Sequence, residues 1–293
     1  MPVEERDSAT GYLTTGHEWN GITELNTPVP RPVYFFLILA ATFALLGWIL
    51  WPAWPIGTTY TKGILNVDQR TSVQASLEQA AMDRDVWAKR IAAESFPAIQ
   101  ADSDLMRIVH EAGPRLFGDN CAACHRADAR GQRGFPNLTT SSWLWGGSPD
   151  AIFETIRVGI NSAHPKSHIS QMPAFGRDKL LPADSIDKVV AYVRSLTDPS
   201  VASEQPASTI DAGRAIFKAN CTVCHGDDAK GKTDVGAPNL TDRFSIYGGD
   251  QQSVLTTLWG GRQGHMPTWE ERLSPVSRKI LALYVTSLRA PDQ

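Results

Sequence analysis

The sequence predicts an all-α protein in which one N-terminal transmembrane helix precedes two tandem helical domains. Three observations support this prediction: one long stretch without charges, a set of landmarks that occurs twice, and apolar residues at helical spacing with no convincing strand run. The chain has 293 residues, of which 42% are hydrophobic and 20% charged, as in ordinary folded proteins. It contains no basic run, so the composition gives no support to nucleic-acid binding.

A transmembrane anchor is predicted over residues 33–54, after a polar arm over residues 1–32. No charged residue occurs between Arg31 and Lys62, and the stretch VYFFLILAATFALLGWIL has about the 20 apolar residues that cross a bilayer as a helix. A buried core helix would show polar residues on one side, and a signal peptide would begin nearer the N-terminus. We therefore expect an uncleaved anchor, followed by a polar connecting segment over residues 55–104.

The remainder of the chain repeats itself. Five landmarks recur in the same order: LFGDNCAACH and IFKANCTVCH, FPNL and APNL, WGG and YGG, QMPAF and HMPTW, and YVRSL and YVTSL. This duplication predicts two related domains, over residues 105–198 and 210–293, joined by a linker over residues 199–209. In each domain we expect a helix that leads into the cysteine motif, a middle helix (149–159 or 250–260) and a closing helix.

All four cysteines lie in two Cys-x-x-Cys-His motifs. Cysteines three positions apart lie on one helical turn, so both thiols can form thioether bonds to a haem, and the histidine that follows can bind its iron. A zinc site would join two such pairs in one cage, and a thioredoxin-like pair would need a βαβ unit. The pattern favours two tandem cytochrome c domains with two covalently bound haems c, held by Cys121, Cys124 and His125 and by Cys221, Cys224 and His225.

The sixth iron ligand is predicted to be a methionine in each domain. Met172 and Met266 are the only methionines after the haem motifs, and each precedes a proline at an equivalent place in its repeat. A thioether ligand favours ferrous iron and electron transfer, whereas an open position would favour catalysis. The competing ligands are His164, His168 and His265. The recurrence of Met-Pro in both repeats favours the methionines.

Several residues near the motifs admit two interpretations. The Gly-Gly pairs at 146–147 and 248–249 either bring backbone close to a haem edge or form ordinary turns. Four further side chains could contact the haem propionates or could equally be surface or core residues: Arg157, Arg262, Trp143 and Trp259.

The flanks of the anchor resemble those of a known family. The segments HEWNGITELNTPVPR before the span, and WPAWP and YTKGIL after it, are similar to the dihaem subunit of cbb3-type cytochrome c oxidase, called FixP, CcoP or subunit III. The resemblance covers essentially the whole chain. It implies that Met172 completes the site at Cys121 and that Met266 completes the site at Cys221. It also implies that Trp19 and the ELNTP turn dock the arm on partner subunits.

The function that this resemblance implies is electron transfer, with no oxygen-reducing site in the chain itself. Electrons would come from a cytochrome bc1 complex or a small soluble cytochrome c. They would pass to a monohaem cytochrome subunit and then to a catalytic subunit with haem b and copper, which reduces oxygen and pumps protons. Haem c is attached outside the cytoplasm in bacteria. We therefore expect an inner-membrane anchor surrounded by lipid, a cytoplasmic arm and periplasmic haem domains.

Three alternative functions share some of these features. A dihaem cytochrome that serves a periplasmic dehydrogenase would have the same soluble half and would differ in the arm. A dihaem peroxidase would need one open or removable sixth ligand, which the paired Met-Pro loops disfavour. A haem-based sensor would need a signalling module, and the sequence of residues 1–32 contains none that we recognise.

Overall fold

The structure, a computed structural model, describes residues 5–289 and confirms a mostly helical chain. It divides into two compact units, the first ending at Asp83 and the second beginning at Arg84. The first unit holds the arm and the apolar helix, and the second holds both repeats.

The arm contains a β-hairpin that the sequence analysis does not predict. Strand β1 (Thr14–Trp19) pairs antiparallel with β2 (Ile22–Leu25). The two residues between them, Asn20 and Gly21, both have positive φ, at 50° and 85°. Asn-Gly is the usual sequence for a two-residue hairpin turn, because both residues tolerate this backbone conformation. That dipeptide was the available signal for the hairpin.

Helix α1 (Arg31–Leu50) is the predicted anchor helix. Pro32 lies in its first turn, where a missing N–H costs least. Its 20 residues span about 30 Å at ~1.5 Å per residue, and its apolar window has a mean hydropathy of 2.4. No residue of the helix is buried within the chain, which fits contact with lipid. The helix ends four residues before the predicted boundary because Pro52 disfavours a helical conformation at Trp51.

The chain turns back against the end of α1. The N–H groups of Ile64 and Leu65 donate to the carbonyls of Ile49 and Leu50 at 2.9 and 3.1 Å. Gly63 has a φ of +67°, and a Cβ at this position would collide with the Leu50 carbonyl. The return therefore satisfies carbonyl groups that a helix end otherwise leaves free.

The connecting segment is mostly helical. A short strand pair, β3 (Pro55–Ile56) and β4 (Thr59–Tyr60), is followed by the polar helix α2 (Gln69–Ala93). Ile91 is the only buried residue of α2. Helix α3 (Phe96–Ala101) buries its two large apolar side chains in the core of the second unit.

Each repeat contributes four helices of the predicted kinds. In the first repeat these are α4 (Ser103–Asn120), the short motif helix α5 (Ala122–His125), the middle helix α6 (Pro149–Val158) and the closing helix α7 (Ala183–Ser195). The linker contains α8 (Pro199–Glu204). In the second repeat they are α9 (Ala207–Asn220), α10 (Thr222–His225), α11 (Gln251–Gly260) and α12 (Pro275–Ser287).

The two closing helices are exchanged between the repeats, which differs from the expectation that each repeat packs against its own. Helix α12 packs on α4 and α6 of the first repeat. Gly113 on α4 makes this contact possible, since a Cβ there would lie 2.6 Å from the Tyr284 ring. The same tyrosine packs edge-on against Phe117, with ring centres 5.9 Å apart.

The second repeat shows the reciprocal arrangement. Helix α7 packs on α9 and α11, and Gly213 on α9 lies directly against the backbone of Lys188 and the Cβ of Tyr192 on α7. The Tyr192 and Phe217 rings lie 5.3 Å apart. Helices α7 and α9 are joined only by the linker, and consecutive helices usually pack together. We refer to α4, α6 and α12 as the first lobe and to α7, α9 and α11 as the second lobe.

Candidate functional site

Both cysteine motifs form one tight helical turn at the end of a longer helix. Cys121 ends α4, and the N–H groups of Cys124 and His125 return to its carbonyl at 3.1 and 2.9 Å. The second motif repeats these bonds at 3.2 and 2.9 Å. All four cysteines are free thiols. Burial raises the pKa of Cys121 and of Cys221 to about 11, whereas a thioredoxin-like redox pair requires a lowered thiol pKa.

Each motif histidine is oriented by a proline carbonyl. Nδ1 of His125 lies 3.1 Å from the Pro136 carbonyl, and Nδ1 of His225 lies 3.1 Å from the Pro238 carbonyl. A carbonyl only accepts, so Nδ1 carries the proton and Nε2 is free to bind a metal. Burial lowers the pKa of both histidines, which favours the neutral form that ligates iron. This contact gives the prolines of FPNL and APNL a role that was not predicted from the sequence.

A largely apolar cavity opens beside the first motif. Cys121 and His125 border it, and its lining also includes Met266 from the second repeat. The apolar side chains around it come from α4, α6 and α12 and from the loop after the motif: Phe117, Leu138, Ile152, Ile156, Leu281 and Val285. A flat apolar cofactor attached through the cysteines would be enclosed between His125 and Met266.

The Met-Pro segments are held by reciprocal backbone pairs between the repeats. Ile160 and Met266 exchange two hydrogen bonds of 2.9 Å. Met172 and Arg262 exchange the equivalent pair, at 2.8 and 3.1 Å. Both methionines are therefore positioned by the turn that follows the middle helix of the other repeat.

Two glycines at these turns allow the close approach. Gly159 and Gly261 follow α6 and α11 with φ values of +72° and +69°. A Cβ at Gly159 would collide with the Met266 carbonyl, and a Cβ at Gly261 would lie 2.5 Å from the Met172 carbonyl. Only glycine combines this backbone conformation with such close contact.

Met172 lies in the second lobe. It packs against a buried cluster from α7 and α11 that includes Val189 and Leu258, together with Ile216 of α9. The next residues along α7 belong to the cluster that contains Cys221. The resemblance implies that Met172 completes the site at Cys121, but the structure brings Met266 to the cavity beside that motif and leaves Met172 in the second lobe.

The three competing histidines have other partners. Nε2 of His164 lies 2.6 Å from Glu270, and Nδ1 of His265 lies 3.0 Å from the Asn161 carbonyl. The His168 ring stacks on Trp145, with ring centres 4.3 Å apart. None of the three histidines lines the first cavity.

Of the four side chains that could contact the haem propionates, only one borders the first cavity. Arg157 is held by Glu154 and Glu270, each at 2.7 Å, so its donors are already engaged. The Arg262 guanidinium lies over the Tyr247 ring at 4.3 Å, and Trp259 is 48% exposed. Trp143 lines the first cavity and is the one of the four that borders it.

The residues present fit a covalently attached haem. Two free thiols on one turn, an imidazole with a free Nε2, a thioether opposite and an apolar enclosure form the donor set of a six-coordinate haem c. Such a centre exchanges one electron.

Three family models match successive parts of the chain. The family model described as N-terminal domain of cytochrome oxidase-cbb3, FixP, matches residues 11–58. The model for cytochrome c matches residues 110–197, and that for cytochrome C oxidase, cbb3-type, subunit III, matches residues 208–285.

Curated relatives match over nearly their full length. The chain is 43% identical over 284 residues to the cbb3-type cytochrome c oxidase subunit FixP of a Bradyrhizobium species, covering 97% of each chain. It is 39% identical over 296 residues to the subunit CcoP of an Azospirillum species, covering 98% of this chain and 99% of the relative. The corresponding CcoP of Cereibacter sphaeroides is 37% identical, with 94% of each chain covered.

Proposed function

Because this chain belongs to the FixP/CcoP family of cbb3-type cytochrome c oxidase subunits, we propose that it relays electrons through its two lobes to the oxygen-reducing part of such a complex. It is a membrane-anchored cytochrome c electron-transfer subunit with two haem c domains, and the other oxidase subunits are its partners. The observation that carries the proposal is the pair of cysteine motifs, each with a histidine oriented by a proline carbonyl, together with the backbone pairs that hold each Met-Pro segment against the other repeat.

We propose the following ligand sets. Cys121 and Cys124 would hold the first haem covalently, and His125 and Met266 would supply the ligands of its iron. The second is bound by Cys221 and Cys224, with His225 and Met172. The reciprocal backbone pairs and the packing of α7 and α12 support this assignment.

Haem c, when bound, supplies a one-electron ferric/ferrous couple, and the chain sets the conditions for it. The proline carbonyls keep the imidazole rings oriented and their Nδ1 atoms protonated. The methionine thioethers favour the ferrous state, and the apolar walls exclude water and competing ligands. The proposed role needs both axial positions filled, and it assigns no oxygen-reducing site to this chain.

We also propose the orientation and the partners at finer detail. The anchor lies in the bacterial inner membrane, with the haem domains in the periplasm and the arm in the cytoplasm. The donor is a bc1 complex or a soluble cytochrome c. The acceptors are the monohaem subunit and then the haem b and copper subunit. Trp19 is 72% exposed at the tip of the arm hairpin, which supports docking of this hairpin on a partner.

The composition of the purified assembly tests the oxidase role. The full-length chain is extracted from native membranes in mild detergent, and haem c, haem b and copper are measured. We expect haem b and copper to co-purify, with more than two haems c per copy of this chain. Two haems c without haem b or copper would remove the support for an oxidase, and a co-purifying flavin or quinone cofactor would favour service to a dehydrogenase.

Carbon monoxide binding tests the ligand sets. Replacing Cys121 and Cys124 by Ser leaves only the second haem attached. In that background we expect Met172→Leu, and not Met266→Leu, to make the reduced haem bind carbon monoxide rapidly, because only Met172 occupies its sixth position. The opposite result would support the pairing of each methionine with the cysteine motif of its own repeat. Rapid stoichiometric binding to the unaltered chain would contradict six-coordination.

A further inference from the structure

The first lobe contains buried hydrogen-bond donors that have no partner. The indole Nε1 atoms of Trp143 and Trp145, which both line the first cavity, meet no acceptor among residues 5–289. Within the same part of the chain, Nε and Nη2 of Arg289 are also buried and unpaired. Buried donors are nearly always paired in native proteins, so this concentration requires an explanation.

Arg289 and Trp143 lie together over a glycine. The Arg289 guanidinium carbon is 5.0 Å from the centre of the Trp143 ring. A Cβ at Gly147 would lie 2.6 Å from Nη2 of Arg289 and 2.5 Å from the Trp143 ring. Gly147 therefore leaves the space in which a guanidinium and an indole N–H meet. This gives the second glycine of the first Gly-Gly pair a packing role.

The unpaired hydrogen-bond donors of Trp143, Trp145 and Arg289 have no counterpart among the described residues of the second lobe. Arg289 lies two residues after the end of α12, so it reaches Trp143 because α12 is exchanged into this lobe. When WGG is aligned with YGG and YVRSL with YVTSL, the equivalent positions in the other repeat are Ser245, Tyr247 and Thr197. The Thr197 hydroxyl donates to the Arg194 carbonyl at 3.3 Å. No unpaired buried donor is found at these three positions, all of which the structure describes.

We propose that Arg289, Trp143 and Trp145 bind the propionate carboxylates of the first haem, and that the second haem has no equivalent clamp. This inference rests on the haem attachment proposed above. A haem carries two carboxylates, which are the acceptors that an arginine fork and two indole N–H groups lack. The positive charge of Arg289 also stabilises the ferrous over the ferric state, so the clamp raises the potential of the first haem relative to an unclamped site.

Substitution of Arg289 in the full-length chain tests the clamp. The midpoint potentials of both haems are measured by spectroscopic redox titration, and the first haem is identified as the component that a Met266 substitution shifts. In the Arg289→Gln variant we expect both haems to be attached covalently and the midpoint potential of the second haem to be unchanged. We expect the ferric/ferrous equilibrium of the first haem to shift about tenfold toward the ferric state, which lowers its midpoint potential by about 59 mV for one electron. Arg115→Gln, which removes an exposed charge from α4, should shift neither haem.

Milder variants keep the test decisive if Arg289→Gln fails to fold. Trp143→Phe and Trp145→Phe remove only the N–H donors, and each should lower the potential of the first haem by less than Arg289→Gln. Redox-difference infrared spectra should show altered propionate bands in these variants and unaltered bands in Arg115→Gln. Unchanged potentials and bands, with two haems attached, would overturn the clamp and leave the haem sites intact. Failure of the unaltered chain to bind haem would contradict the proposed function instead.

Discussion

At the scale of single residues, each site depends on backbone groups as much as on side chains. The Pro136 and Pro238 carbonyls set the protonated nitrogen of the two motif histidines. Gly159 and Gly261 let the Met-Pro carbonyls of the opposite repeat come close. Because these contributions come from main-chain atoms, their sequence signal is only that the residues recur in both repeats.

Gly159→Ala should destabilise the first lobe. Alanine at a φ of +72° is strained, and its Cβ would collide with the Met266 carbonyl. We expect a loss of about 1–3 kcal/mol in the free energy of unfolding. Thermal unfolding of the haem-loaded chain, followed by haem absorbance, measures the effect. Gly118→Ala is the control, because Gly118 lies in α4 with nothing within 4 Å and should be neutral or slightly stabilising.

At the scale of elements, the Met266 segment is tied to the end of α6 by a polar cluster. The Glu270 carboxylate accepts hydrogen bonds from Nη1 of Arg157 at 2.7 Å and from Nε2 of His164 at 2.6 Å. The Thr268 hydroxyl donates to the Arg157 carbonyl, and the Asn161 amide donates to the Gly264 carbonyl, both at 2.6 Å. Together with the backbone pair at Ile160, these bonds hold the methionine opposite the first motif.

Because of this polar cluster, we expect part of the folding stability to be lost in acid. The hydrogen bond from Arg157, and then that from His164, lowers the pKa of Glu270 below its ordinary value of 4.5. A lowered folded-state pKa gives stability that is complete above the unfolded-state pKa and is lost as the pH falls through the folded-state pKa.

Glu270→Gln tests this component. At pH 7 the variant should unfold at a lower temperature than the unaltered chain, and the difference should shrink as the pH falls below about 4.5. Glu271→Gln is the matched control, because this exposed neighbour forms no ion pair within residues 5–289. A difference that stayed constant down to pH 3 would show that Glu270 acts through packing and not through its charge.

At the scale of the whole molecule, the exchange makes each proposed haem site a product of both repeats. The first motif lies in the lobe that holds Met266, α12 and Arg289 from the second repeat, and the second motif lies in the lobe that holds α7 and Met172 from the first. Neither repeat therefore holds a complete site of this arrangement by itself, although each carries every landmark of one.

A chain that ends at Gln205 should show this dependence. It keeps the anchor, the first motif and Met172, but it lacks Met266 and α12. We expect the first haem to be attached covalently and to bind carbon monoxide rapidly when reduced, because its sixth position is open. The full-length chain is the reference for the same spectrum. A six-coordinate fragment that excluded carbon monoxide would mean that Met172 and α7 can fold back onto their own repeat.

The sequence by itself determined the apolar anchor helix, the helical repeats, the two cysteine motifs and the two Met-Pro segments. Each of these follows from local spacing: an uncharged span of bilayer length, a one-turn cysteine motif, and landmarks that recur in order. The Asn20-Gly21 hairpin was equally local and was missed.

Only the tertiary structure decided which methionine lies in which lobe. The closing helices carry nearly the same contact surface, YVRSL and YVTSL, so either fits against either glycine-bearing helix. The linker brings α7 against α9, and that packing leaves α12 for the first lobe. Arg289 consequently lies beside Trp143, a contact between residues that are far apart in the chain and that no local pattern encodes.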